Sequence, residues 1–418
     1  MSDARRPEPS DISPPTRAVR SRSRLLLPIG FGILLTALVG LNAWLAWESR
    51  PLSDRPTIAR AIRLDQLDTA EAALRARLRR SPHEGESRFL LARVLARRHD
   101  LLGCAEQLHH VPFWAPEKAE ALYLEGESYQ NAFHAPGAEA AWSQLIEIDP
   151  LHPPPSEFFS NACLNLAKLY LLQNRQEEAV AVIWRLYEAV EPRHHESILG
   201  VRFESELNRV RPDQAVVPLR RFVETVPEDG NSRRALALAE QAIGRSEEAL
   251  RQIEACLSAQ PDDPAAHRDR LVILQAQNDF DALAEAVEQL PSGSDLDAHT
   301  WSLRGFVRER AGDLEGAAKA YRRAFELDPI DSRSLYRLAL LEQRLGRPEI
   351  AEPLLERHEP LRAALHELPD AFQEYQAALH GRRFSKGPDR EAAITRLIEL
   401  CEIIGWPREA QAWRNLID

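Results

Sequence analysis

Lysine and methionine are nearly missing from this chain. Of 53 basic residues only Lys118, Lys168, Lys319 and Lys386 are lysine, and there is one methionine. That arginine bias points to a GC-rich bacterial genome. Cysteine is also scarce: Cys104, Cys163, Cys256 and Cys401 lie far apart, with no CxxC spacing. They read as small buried hydrophobes, and nothing in the spacing supports a disulfide. No GxSxG, HExxH or GxxxxGK[ST] is present, which removes the motif-based grounds for an enzyme. Net positive charge is confined to one end. The formal net charge is −11, yet residues 1–24 hold six arginines against Asp3, Glu8 and Asp11, or +3. The rest therefore carries −11 − 3 = −14. Nucleic-acid binding needs clustered basic charge to neutralise phosphates, so nucleic acid is not an expected partner.

Residues 1–24, rich in Pro, Ser and Arg, offer nothing for a core and read as a disordered tail. Residues 25–47 (LLLPIGFGILLTALVGLNAWLAW) then run for 23 residues without a charge. As a helix they would reach roughly 34 Å, against about 30 Å of bilayer core. Trp44 and Trp47 mark the far interface and the arginines the near side. The expectation is a single transmembrane helix in the inner membrane. Its N-terminus would be cytoplasmic and everything after Trp47 periplasmic or extracellular. A cleaved signal peptide is the rival reading, but its apolar region would be shorter and would end on an A-x-A-like site, which NAWLAWES lacks.

The remainder is organised around Ala298–Asp331, a 34-residue stretch that reads as two helices joined at Gly312. Trp301 and Gly305 lie a turn apart on the first helix. Ala317, Tyr321 and Ala324 form one stripe of the second, and Pro329 stops it. These residues, at these offsets, resemble the tetratricopeptide repeat, with Arg308 as the main departure where that family prefers an aromatic. The frame extends to units near 51, 85, 119, 160, 196, 230, 264, 298, 332 and 391. Insertions fall at 153–159, at His194–His195, and at 366–390, where an extra helix is expected. At the twentieth site of each unit stand Ala70, Cys104, Ala138, Ala179, Ala215, Ala249, Leu283, Ala317, Ala351 and Ala410, all small but Leu283. The eighth site is looser, with Ile58, Phe203, Leu271 and Ile398 too bulky for the pattern.

The resemblance implies an all-α fold: a right-handed superhelical solenoid of about nine to ten helix-turn-helix units spanning 48–418, with first helices lining a concave face. Stability would accumulate along the stack. Trp406 and Trp413 are expected to cap its open end. At the inward sites of the first helices stand Tyr123, Glu127, Lys168, Arg234, Arg268, Phe306 and Tyr336, with Asn165 on the edge. An ordinary solvated face is the plainer reading. The functional one is a groove that binds an extended or helical peptide through Tyr and Arg anchors. Adjacent histidines at 194–195, near Glu191 and Glu196, could hold zinc only if the loop turned them together. The expected function is a non-catalytic, membrane-anchored scaffold that binds a protein or peptide in envelope assembly or secretion. No cofactor or metal is expected. A glycan-binding or accessory module for an envelope enzyme is the alternative; mixed Arg and aromatic residues lean toward peptide.

Overall fold

A computed structural model describes residues 55–148, 156–380 and 390–417. The apolar run 25–47 and the tail before it lie outside these. Among the described residues no helix is long and apolar enough to cross a membrane. The chain divides into two compact units, Met1–Arg77 and Leu78–Asp418.

In the first unit, α1 (Arg55–Arg63) is short, with Pro56 in its first turn, where a missing N–H costs nothing. Asp65 turns the chain with φ 55° and α2 (Leu67–Arg80) follows.

The second unit is built of helices, most of them in pairs: α3 (Gly85–Arg97) and α4 (Leu101–His109), α5 (Lys118–Asn131) and α6 (Ala135–Ile148), α7 (Glu157–Leu172) and α8 (Gln176–Ala189). After α9 (His195–Leu207) and α10 (Pro212–Thr225) come α11 (Gly230–Ala242), α12 (Ser246–Ala259), α13 (Pro264–Ala276) and α14 (Phe280–Glu288). The chain ends with α15 (Ala298–Arg310), α16 (Leu314–Leu327), α17 (Ser332–Arg344), α18 (Pro348–His380), α19 (Arg390–Ile404) and α20 (Pro407–Arg414).

Local chemistry sets the turn inside each pair. One residue with left-handed φ closes it: His99, Phe133, Asn174, Gly244, Asn278, Gly312, Gly346 and Gly405. In three turns the next residue is Asp. The side chains of Asp100, Asp279 and Asp313 then accept from the backbone N–H of Gly103, Ala282 and Gly316, capping the second helix. Small residues let the two helices approach. A Cβ on Gly305 would sit 3.0 Å from the Tyr321 ring, and one on Gly126 would sit 2.3 Å from Trp142 Nε1. Ala138, Ala179, Ala249, Ala317 and Ala351 are fully buried at these contacts.

Successive pairs are also locked by charge. Glu240 on α11 is fully buried and accepts from Arg220 on α10 and from Arg245 in its own turn at 3.1 Å. The same arrangement recurs with buried Glu342, Arg322 and Arg347. Such carboxylates are stable only because both oxygens meet guanidinium groups.

The pairing fails once. Between α9 and α10 the linker Asn208–Arg211 contains no left-handed residue. The position that holds Gly, Asn, His or Phe in the other pairs is Val210, whose branched Cβ makes that conformation costly. Consequently α10 packs on α11, and its Leu219, Phe222 and Val223 join a core with Leu122, Phe159 and Leu166 from α5 and α7. Helix α9 pairs instead with the chain's C-terminal helices. Leu199 and Phe203 lie in one core with Phe372, Tyr375, Leu397 and Trp413. Arg202 donates to Glu409 at 3.1 Å, and Tyr375 and Arg390 both donate to Glu196. Trp413, expected to cap an open end, is thus fully buried as part of a joint. The reason is Phe203. Its large ring at the eighth site is enclosed by Phe372, Trp406 and Trp413 rather than by α10.

Helix α18 also departs from expectation. It runs unbroken from the second helix of its pair through His380, despite Pro353, Pro360 and Pro369. The expected extra helix is therefore a continuation, and residues 381–389 lie outside those described. Part of the 153–159 insertion is helical as well: Ser156 caps α7 by accepting from Phe159 N at 3.3 Å.

Candidate peptide groove

Helices α5, α7 and α9 follow one another as first helices, and α8 closes the gap behind α7 and α9. Between α7 and α9 lies an open groove of about 1000 Å³. Its floor is apolar: Leu164 from α7, Leu186 and Val190 from α8 and its end, Ile198 and Val201 from α9. Glu157, Asn161, Glu191, Arg193 and Ser197, all exposed, form a polar rim. An apolar floor with a few polar groups at the rim is what a peptide side chain and its backbone need.

Four of the residues singled out in the sequence lie on the same helices. Tyr123 on α5 donates to Glu127 Oε1 at 2.8 Å, and its ring lies 5.7 Å from that of Phe158 on α7. Burial, then the Glu127 contact, pushes the Tyr123 phenol up to about 12, while Asn165 on α7 opposes the shift. Tyr123, Glu127 and Asn165 thus form one hydrogen-bonded group, and Lys168 stands exposed one turn beyond Asn165. Trp142 Nε1 donates to the Tyr123 carbonyl at 3.2 Å, tying this group to the α5–α6 core.

The other four are distributed differently. Arg234 on α11 and Arg268 on α13 both face the buried carboxylate of Asp269, at 3.8 and 2.9 Å. Arg268 also approaches Asp297 at 3.7 Å. Desolvation pushes the Asp269 carboxyl above its ordinary range and the two guanidinium groups oppose that. Arg234 is 9% exposed, so most of it is spent inside this cluster. Phe306 on α15 contacts Phe280, over which Arg310 stacks at 3.7 Å. Tyr336 on α17, 42% exposed, tilts against His358. The two arginines form one charge cluster, and the two aromatics belong to separate contacts.

The histidine insertion folds into the protein. His195 stacks on Tyr187 with centroids 3.9 Å apart, and Glu196 is engaged by Tyr375 and Arg390. Among the described residues no group of three His, Cys, Asp or Glu is arranged to hold a metal ion. All four cysteines are buried thiols. Burial pushes the Cys256 thiol up to about 11 and the Cys401 thiol to about 12, out of the reactive range.

The α7–α9 floor was not singled out from the sequence. Its one sequence signal was the insertion before Glu196, which lengthens the α8–α9 connection and builds the groove's end from Glu191, Arg193 and His194.

Stacked helix pairs that leave first helices facing a groove define a protein of the helical-repeat class. Within it, residues 230–295 and 307–366 match the family profile of the tetratricopeptide repeat. No curated protein matches the chain. Among solved structures, MamA (residues 41 to the end) from Desulfovibrio magneticus RS-1 is 17% identical over 40% of this chain and 96% of its own, with a TM-score of 0.32. PilF of Pseudomonas aeruginosa is 15% identical over 53% and 90%, TM-score 0.31. A human IFIT1 dimer with m7Gppp-AAAA is 16% identical over 86% and 88%, TM-score 0.35. At these scores the likenesses carry nothing about function.

Proposed function

We propose that the chain is a non-catalytic scaffold, tethered to a membrane by residues 25–47, that binds a protein partner through the α5–α7–α9 face. The observation that carries this reading is the groove. Leu164, Leu186, Val190, Ile198 and Val201 form its apolar floor, with Glu157, Asn161, Glu191, Arg193 and Ser197 at the rim. The preferred occupant is a peptide that inserts an apolar side chain between α7 and α9 and offers backbone groups to Asn161 and the rest of the rim. Lys168 would meet an acidic residue of it. Of the second candidate set, Tyr336 is the member most open to a partner.

The arginines before the apolar run favour a cytoplasmic N-terminus, with the repeats on the other side of the membrane and serving assembly or secretion there. The test is a pull-down from solubilised membranes, wild type against Leu164→Glu and against the rim control Ser197→Ala. A charge on the floor should weaken the captured partner by roughly tenfold or more, about 1.4 kcal/mol. An unchanged partner yield from the correctly folded variant would move the binding site elsewhere.

A further inference from the structure

The two most exposed large hydrophobic side chains among the described residues are neighbours. Phe113 is 79% exposed and Trp114 68%. They occupy the two tip positions of a turn closed by Ala115 N donating to the Pro112 carbonyl at 3.0 Å. The base of this turn is fixed. Val111 is buried, and Ala115 and Pro112 press on α3 at Gly85, where a Cβ would meet Ala115 Cβ at 3.1 Å. The two rings touch edge to face, 5.2 Å apart, and no charged side chain interrupts Val111–Pro116. A rigid, uncharged turn that aims Phe and Trp at solvent gains nothing for the fold. Aromatic side chains of this kind partition to the boundary between lipid head groups and acyl chains.

From this geometry we infer that the Phe113–Trp114 tip inserts into the surface of the bilayer, as a second contact beside the anchor. This inference rests on the proposed anchor at residues 25–47. Two aromatic side chains are too small a contact to hold a free protein on a membrane, where stable attachment takes two signals. A tethered protein is a different case. Only residues 48–54 separate the apolar run from α1, a reach of at most about 25 Å. With an anchor in the same chain, the tip meets the bilayer as an intramolecular contact rather than from free solution. A weak tip then suffices to orient the repeats at the membrane surface.

The experiment reconstitutes the full chain into phosphatidylcholine–phosphatidylglycerol vesicles, with or without lipid brominated on the upper acyl chain. Tryptophan emission of a Trp114→Leu variant is subtracted from wild type to isolate Trp114. Its emission should fall to roughly half in brominated vesicles, as for an interfacial indole. A Phe113→Trp variant, which adds an indole at the tip, should gain emission that is quenched to the same degree. Equal emission in plain and brominated vesicles, with the protein floating with them, places the tip in water or in a protein pocket and overturns the inference alone. A full chain that does not float overturns the anchor and the inference together.

Discussion

Two stretches of the chain with the same repeat frame fold differently. In 298–331, α15 turns at Gly312 (φ 82°) and α16 packs back upon it, its Tyr321 ring pressed to Gly305. In 196–229 the corresponding positions are Val210 and Phe203, and the two helices part. Each difference acts in the same direction. Valine makes the left-handed turn costly, and phenylalanine fills the space the second helix would occupy. Helix α9 is then free to serve twice, as the next helix after α8 and as the cover over α20. The exception shows that the hairpin is no automatic consequence of two adjacent helices. It needs a residue that reaches positive φ at the turn, which every other pair of the second unit has and α9–α10 lacks.

The largest expected effect comes from breaking the intact pair. Ala317 is fully buried among Tyr321, Leu338 and Leu341. Ala317→Arg forces a long charged side chain into that contact and should destabilise by on the order of 5 kcal/mol, through overpacking and an unpaired buried charge. Hydrogen exchange should show lost protection across α15–α17. Full protection there would mean that these helices do not depend on the contact.

Breaking the exceptional pair should cost less overall and act at a distance. Phe203 is 1% exposed and stacks on Phe372 at 5.4 Å, with Trp413 edge-on. Phe203→Ala leaves a cavity worth about 3–5 kcal/mol. It should release the C-terminal pair, so limited proteolysis should cut near α19–α20 first. The Arg202–Glu409 ion pair, both partners buried, would then face water. Cleavage that starts instead in α15–α16 would contradict the joint.

Much of this was legible in the sequence, and the limits are instructive. That the described chain is helical, and that 298–331 folds as a helix-turn-helix pair of the tetratricopeptide kind, followed from the spacing of Ala, Gly and Pro there. The departures at Phe203 and Val210 were legible as well, Phe203 openly so. What they lead to was not. Nothing local to α9 says that its partner is α20, because that contact depends on Tyr375, Trp406 and Trp413 closing around one ring more than 150 residues away. The inward stripe shows a related limit. Periodicity placed Arg234 and Arg268 on first helices, but it does not register that Asp269 on the same surface consumes their charge.

The smallest effect separates the two stretches most cleanly, by exchanging their turn residues one at a time. Gly312→Val places a branched Cβ at φ 82°, where nothing crowds the site but the backbone itself is unfavourable. The cost should be about 1–2 kcal/mol, the penalty of left-handed backbone for an L-residue. Val210→Gly restores the residue that other turns use. Yet it should not rebuild an α9–α10 hairpin, because Phe203 still occupies the contact and α9 is committed to Trp413 and Glu409. Its effect should be a loss of about 1 kcal/mol or less, from the greater freedom of glycine in the unfolded chain. Thermal unfolding of the two variants checks the asymmetry. If Val210→Gly stabilises the protein, and the C-terminal pair becomes protease-sensitive at the same time, then the turn residue alone holds α9 away from α10 and the packing of Phe203 is secondary.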